Sequence, residues 1–161
     1  MEEDRVTTVD RRNYPMLRVW IALSLMLIVH ANGAAERHST KKIKSIVAEL
    51  KKQLGISEEI EVIVVEKNNL IVSVQPIKDR GVYQISFERA FLNTLDDPDL
   101  HAVIAHELGH VWIFTHHPYL QTEDLANSIA FKAVNQDAMD RVYEKVRSRQ
   151  RVDSNLSAYM H

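Results

Sequence analysis

Residues 106–130 read HELGHVWIFTHHPYLQTEDLANSIA, and the first five carry the strongest pattern in the chain. His106 and His110 are four residues apart, so on a helix both imidazoles point the same way and can bind one Zn²⁺. Glu107 between them is placed to accept a proton from a metal-bound water. The pentapeptide therefore predicts a zinc site, and hydrolysis of an amide bond is the chemistry that fits. A chance match on a histidine-bearing helix is the alternative interpretation.

The third zinc ligand is expected at the start of the next helix. Glu123 follows His110 by thirteen residues. The small residues Ala126 and Ala130 would let this second helix, predicted to run to about residue 149, pack closely on the first. Glu123 would then complete a site of two histidines and one glutamate with an open position for water. Asp124 is the alternative if the helix phase differs by one residue.

His116 is a rival third ligand, six residues after His110. The extended motif that uses a histidine at this spacing needs a glycine at position 113, where the chain turns back. This chain has Ile113 there, within an apolar run that should stay helical until Pro118. The pattern therefore favours Glu123 over His116.

The helix that carries the motif has recognisable features at its start and in its middle. Asp97 can cap it, Pro98 suits its first turn, and Asp99 suits the positive end of its dipole. Gly109 lowers helix propensity, which indicates that a neighbouring element packs closely at that point. His101, about one turn before the motif, is expected at the surface.

The preceding segments predict one helix and three short strands. Residues 39–54 place apolar side chains at helical spacing, with lysines opposite and Gly55 as a stop. Residues 59–66, 70–76 and 82–87 are rich in β-branched side chains and are separated by turn residues. So few strands need a helix layer. The expected fold is α+β: a small antiparallel or mixed sheet packed on the motif helix and on the glutamate-bearing helix that follows.

Composition is typical of one small domain. The chain has 161 residues and a formal net charge of -2. It therefore lacks the excess of basic residues that would favour binding to nucleic acid or to an anionic membrane surface. It has no cysteine, which excludes disulfides and thiolate zinc ligands.

Residues 1–35 are predicted to form a targeting segment. The apolar run 19–29 has the length of the central region of a signal peptide, and small residues follow it. Met16 is the more natural start, because residues 1–15 are polar and partly acidic. The protein is therefore expected to be exported, periplasmic or secreted, and an uncleaved membrane anchor is the alternative. Residues 36–150 would form the domain, and residues 151–161 a flexible tail.

The stretch 82–134 resembles the core of gluzincin metallopeptidases, especially the M48 family, with some M78-like character. The segments YQISF, AFLNTL, DDPDLHAVIAHELGH and EDLANSIA follow one another as the strand, short helix, motif helix and glutamate helix do in that family. The interval between motif and glutamate is shorter than in most members, and there is one apolar segment instead of several. The resemblance is therefore to a minimal, zincin-like form.

The resemblance implies a set of roles for individual residues. His106, His110 and Glu123 would bind one zinc ion per chain, with Glu107 as the general base. Asn127 stands where the family often has aspartate, and would support a histidine ligand through a hydrogen bond. The strand 82–87 would correspond to the edge strand that pairs with extended substrates in zincins.

The predicted function is that of a zinc metalloendopeptidase acting on a peptide or protein substrate. Glu107 would take the proton of the zinc-activated water and pass it to the leaving amine. Residues that could stabilise the oxyanion are Tyr119, Tyr143, His116 and His117. The alternatives are a zinc-binding interaction or chaperone-like module with little turnover, and a toxin, effector or immunity factor. The intact Glu107 argues against a pure binding module, which needs no base.

Overall fold

A computed structural model describes residues 38–78 and 80–159. The predicted targeting segment lies outside these residues. Within the described ranges no helix is long and apolar enough to cross a membrane. The elements follow in the order α1 (Thr40–Leu54), β1 (Glu59–Val65), β2 (Val72–Ile77), β3 (Val82–Glu88), α2 (Arg89–Leu92), α3 (Asp97–His116), α4 (Glu123–Ala130) and α5 (Gln136–Tyr159).

The three strands form one mixed sheet in the order β1-β3-β2. β3 runs parallel to β1 and antiparallel to β2. The predicted α+β fold with a small mixed sheet is confirmed. The correspondence of residues 82–87 to an edge strand is wrong, because β3 is paired on both sides. The edge strand near the motif helix is β2, since β3 inserts between the two strands that precede it in sequence.

Helix α1 begins and ends where its sequence pattern predicts. The Ser39 side chain accepts a hydrogen bond from the Lys42 backbone N–H, and Gly55 ends the helix with a φ of 68°. The left-handed conformation at this position favours glycine. The apolar face of α1 packs into the core against α3, and its buried members are Ile43, Ile46, Val47, Leu50 and Leu54.

Helix α3 starts one residue earlier than predicted. Its cap is Asp96, whose side chain accepts from the Asp99 backbone N–H at 2.9 Å, so Asp97 is the first helical residue. Asp99 is fully buried and accepts from Arg141 at 3.0 Å and Lys145 at 2.5 Å. Burial alone would raise the pKa of Asp99, but these two cations outweigh it and hold the pKa below its ordinary value. These two ion pairs fix α5 to the start of α3.

The prediction of a single helix from residue 123 to about residue 149 is wrong. It is broken after Ala130, and α5 begins at Gln136. The Asn135 side chain accepts from the Ala138 backbone N–H at 2.9 Å, so it caps the new helix. Helix α5 continues to Tyr159, and the backbone of 151–159, predicted as a flexible tail, is helical. The break lets α5 pack beside α3 and supply one wall of the cleft described below.

Candidate metal centre

Helix α3 brings the two histidines of the motif together. It stays helical through Ile113 to His116, so His106 and His110 lie one turn apart on the same face. Their Nε2 atoms are 3.2 Å apart. Both side chains are mostly buried but reach the surface of a cleft.

Glu123 joins the histidines through a short connection, residues 117–122. Thr122 caps α4 by accepting from the Leu125 backbone N–H at 3.2 Å, and Glu123 is therefore the first residue of the helix. Its Oε2 lies 3.1 Å from His106 Nε2, and its Oε1 lies 3.4 Å from His110 Nε2. Among the residues that the structure describes, these three form the one group able to hold a metal ion, with ligand atoms within 4.8 Å of one another.

A close contact between α3 and α4 makes this convergence possible. At Gly109 the two helices meet backbone to backbone, against Ala126. The close packing that the glycine and the small residues of α4 predict is confirmed. Any larger side chain at Gly109 would push Glu123 away from the histidines.

The Nδ1 atom of His106 is held by Asn127. It donates to Asn127 Oδ1 at 2.8 Å, and the Tyr143 hydroxyl donates to the same oxygen at 2.9 Å. An amide oxygen can only accept, so the proton of the neutral imidazole is on Nδ1 and the Nε2 lone pair faces Glu123. The contact between Asn127 and a motif histidine is the one that the family resemblance implies.

The Nδ1 atom of His110 is held by Gln121, a residue that sequence reasoning missed. It donates to Gln121 Oε1 at 3.2 Å, while Gln121 Nε2 donates to the His110 carbonyl oxygen at 3.5 Å. Both imidazoles are thus oriented by neutral side-chain amides. One signal in the sequence could have indicated this role: Gln121 lies two residues before Glu123, in a connection so short that its side chains must stay close to the motif helix.

Burial keeps His106 in the neutral form that can bind a metal. Desolvation lowers its pKa, and the hydrogen bond to Asn127 and the nearby Glu123 oppose this without reversing it. A lowered pKa favours the neutral imidazole, which is the ligand form.

Glu107 points from the same helix into the cleft and is buried. Burial raises the pKa of Glu107 to about 8, the charge of Glu123 adds to this, and a hydrogen bond from the Val74 backbone N–H opposes it. A cation held beside this carboxyl would favour its ionised form and lower the pKa again. The proton affinity of Glu107 therefore depends on whether the neighbouring group of His106, His110 and Glu123 holds a cation.

The alternative ligands lie outside the group. The His116 ring stacks on Trp112 with ring centroids 4.1 Å apart, and its Nδ1 donates to the Trp112 carbonyl oxygen at 2.9 Å. Asp124 follows Glu123 on α4, and its carbonyl oxygen accepts from the Ser128 hydroxyl. His101, expected at the surface, is half-buried and donates from Nδ1 to the Asp97 carbonyl oxygen at 2.7 Å.

Only one of the four oxyanion candidates faces the cleft. Tyr143 lines it, but its hydroxyl is engaged by Asn127. Tyr119 is fully exposed in the connection after α3, and His116 and His117 pack around Trp112. Tyr143 therefore has a positioning role in this state, through Asn127 and His106.

The cleft beside the metal-binding group is apolar and has a volume of about 410 Å³. Its two long walls come from the segment entering β2 and from α5. The side chains that line it away from the motif include Leu70, Val72, Phe91, Val103, Met139, Val142 and Val146. The cleft can accept an extended chain with apolar side chains.

The donor set suits zinc. Two neutral imidazole nitrogens and one carboxylate meet from two helices, and the side towards the cleft is open. The profile of Peptidase family M48 matches residues 37–160. The chain belongs to peptidase family M48. Membership of this metallopeptidase family implies a bound metal, typically zinc, and in this M48 chain His106, His110 and Glu123 are the group able to hold it.

Two solved structures are similar to this M48 chain. The metallopeptidase zymogen abylysin of Pyrococcus abyssi has a TM-score of 0.50 and 17% identity, covering 66% of this chain and 93% of that one. The metallopeptidase zymogen jannalysin of Methanocaldococcus jannaschii has a TM-score of 0.49 and 21% identity, covering 67% and 96%. The likeness to abylysin shows a shared fold. No curated protein matches the chain.

Proposed function

We propose that this M48 chain is a zinc-dependent endopeptidase of the gluzincin type. His106, His110 and Glu123 hold the metal, and Glu107 is the general base. The observation that supports this most is the convergence of both Nε2 atoms and the Glu123 carboxylate on one point, beside a buried carboxyl and an open cleft. A site that only bound metal would not need Glu107 in that position.

Each residue has a defined part in the proposed hydrolysis. When bound, zinc supplies Lewis acidity, which polarises the scissile carbonyl and makes water more acidic. Glu107 accepts the proton of the attacking water and then donates it to the leaving amine. Because the pKa of Glu107 responds to nearby charge, the carboxyl can both take and release that proton. Asn127 and Gln121 keep the two imidazoles in the orientation that binds the metal.

The outer edge of β2 is the proposed place for the peptide backbone. The Glu88 backbone N–H donates to the Ile71 carbonyl oxygen at 2.8 Å, so the backbone groups of residues 71, 73 and 75 face β3. Those of Val72, Val74 and Pro76 therefore point outwards, towards the cleft side of the sheet.

This edge offers acceptors and few donors to a substrate. The Val72 N–H donates to the Leu70 carbonyl oxygen at 2.7 Å, and the Val74 N–H donates to Glu107. Pro76 has no N–H. The outward carbonyl groups remain, so the substrate would add to the sheet chiefly through its own N–H groups. Such pairing suits extended peptides and selects little by sequence.

A peptide library tests the proposed function. Zinc-loaded protein should cleave peptides, and Glu107→Gln should keep its zinc and fold but lose nearly all hydrolysis, since an amide cannot act as the base. Glu49→Gln, on the surface of α1, is the matched control and should cleave normally. Full activity of Glu107→Gln would remove that residue from the mechanism. A zinc-loaded wild type that cleaves nothing would favour the binding-module interpretation.

We also propose that the domain works outside the cytoplasm. The proposal rests on the apolar run 19–29 and the small residues after it. Mature protein from the native host should then begin near residue 35. N-terminal sequencing that finds residues 19–29 still attached in a membrane fraction would establish the anchored alternative.

A further inference from the structure

The segment that leads into β2 contains a strained residue. Ile71 has a φ of 69°, the one positive φ at a residue other than glycine among the described residues. A β-branched side chain is strongly disfavoured in this conformation. Ile71 is only 1% exposed and packs in the core, so its side chain is anchored while its backbone turns. Strain of this kind persists only where the surroundings impose it, and it concentrates at functional sites.

Two overlapping turns impose the strain. The Ile71 N–H donates to the Asn68 carbonyl oxygen at 2.8 Å, which closes a four-residue turn. The Val72 N–H donates to the Leu70 carbonyl oxygen at 2.7 Å, which closes a three-residue turn around Ile71. A three-residue turn with a positive central φ is the rare form. Together the two turns reverse the chain immediately before the edge strand.

The Asn68 side chain clamps both turns. Its Oδ1 accepts from the Leu70 backbone N–H at 3.0 Å. Its Nδ2 donates to the Ser73 hydroxyl and to the Ser86 carbonyl oxygen, each at 3.1 Å. Asn68 therefore ties the turn to β2 and to β3 at once, and it holds the backbone N–H of Leu70 in place.

The result is an exposed leucine at the mouth of the cleft. Leu70 is 70% exposed and lines the cleft that holds His106 and Glu107. Its neighbour Ile71 packs in the core. The turn therefore buries one of two adjacent apolar side chains and leaves the other exposed to solvent. Covering Leu70 with an apolar group would remove that surface from water, which is favourable.

We propose that Leu70 is a specificity-determining residue that contacts a bulky apolar side chain of the bound peptide next to the scissile bond. The inference rests on the proposed function of the metal centre. The walls beyond Leu70 are apolar as well, with Val103, Met139 and Val142 buried along the same cleft. The substrate class is therefore an extended peptide with a leucine-like residue beside the cleaved bond, and Asn68 is the residue that positions Leu70.

Two peptide hydroxamates test this without turnover. They are identical except for leucine or serine beside the hydroxamate, and their dissociation constants are measured on zinc-loaded protein. The wild type should prefer the leucine compound. Leu70→Ala should reduce that preference about tenfold, the usual scale for lost apolar contact in a binding pocket. The matched control is Leu120→Ala, since Leu120 is 55% exposed and does not line the cleft. This control should keep the wild-type preference.

Asn68→Ala provides a second test through the clamp. This variant should also lower the preference for the leucine compound while zinc remains bound. Leu70→Met keeps a large apolar side chain at position 70, so it should retain the preference that Leu70→Ala loses. An unchanged preference in Leu70→Ala, or an equal loss in Leu120→Ala, would overturn the inference. Failure of the proposed function gives a different result, namely hydroxamates that bind with the predicted preference to a protein that cleaves no peptide.

Discussion

The carbonyl oxygen of Ala126 lies 2.5 Å from the position that a Cβ atom on Gly109 would occupy, and the Ala126 Cα lies 3.0 Å from it. Helices α3 and α4 therefore touch through their backbones at this point. Ala126 stands between Glu123 and Asn127 on α4, so the contact sets the distance of both residues from the motif histidines. The metal-binding group depends on the absence of one methyl group.

Gly109→Ala should therefore harm the metal site more than its small size suggests. The added methyl group forces α4 outwards, which should lower the free energy of unfolding by about 1–3 kcal/mol and weaken zinc binding. Gly81→Ala is the control: its φ of 63° makes alanine strained, but a Cβ there meets nothing within 4 Å. Urea unfolding and zinc titration should show a stability loss in both variants and a loss of zinc affinity in Gly109→Ala alone. Zinc affinity equal to wild type in Gly109→Ala would contradict the account.

Removing the acceptor for His110 should weaken zinc binding. Gln121→Leu leaves Nδ1 of His110 without its partner, and loss of such a contact usually costs about 10–100-fold in metal affinity. Gln121→Glu keeps an acceptor oxygen and should retain binding. Gln53→Leu, on the exposed face of α1, controls for the change of side chain. If Gln121→Leu binds zinc as Gln53→Leu does, Gln121 has no role in orienting the ligand.

The contribution of Glu107 to the stability of the metal-free protein should fall as the pH rises from about 4.5 to about 8. The pKa of Glu107 is raised from 4.5 to about 8 in the fold. In this window the unfolded chain has released the proton and the folded chain still holds it. At this carboxyl the unfolded state therefore binds fewer protons, so the contribution of Glu107 to the free energy of unfolding falls with pH.

Glu107→Gln should remove this dependence, because an amide does not titrate. At about pH 8 the metal-free variant should be more stable than the metal-free wild type, by up to a few kcal/mol at about 1.4 kcal/mol per unit of pKa shift. At about pH 5 the two should differ little. Urea unfolding at both pH values measures this, and the comparison cancels the histidines that the two proteins share. Parallel pH profiles would show that Glu107 is not held protonated in the fold.

Local patterns predicted the parts of the fold that local interactions decide. The bounds of α1 follow from its cap, its periodicity and Gly55, and the motif helix follows from its apolar run and Pro118. Glu123 was predictable because a six-residue connection leaves few places for the next helix to start. Ile113 excluded the rival His116 for a reason of backbone geometry, and the structure keeps that residue helical.

Features that depend on packing between distant segments were not predictable. The insertion of β3 between β1 and β2 depends on the parallel pairing of strands far apart in sequence. The break after Ala130 lies in a segment of ordinary helix formers, and the buried Asp99 with its α5 cations decides where α5 lies. Gln121 and Leu70 gain their contacts only once the connection and the turn are folded.

Zinc titration of Glu123→Ala beside Asp124→Ala tests the central claim most directly. The two residues are neighbours on the first turn of α4, and only Glu123 belongs to the group that can hold a metal. The wild type should bind about one zinc ion per chain. Asp124→Ala should bind zinc as the wild type does. Glu123→Ala should lose most of its zinc affinity, because only the two histidine ligands remain. Retention of tight, stoichiometric zinc by Glu123→Ala would contradict the account.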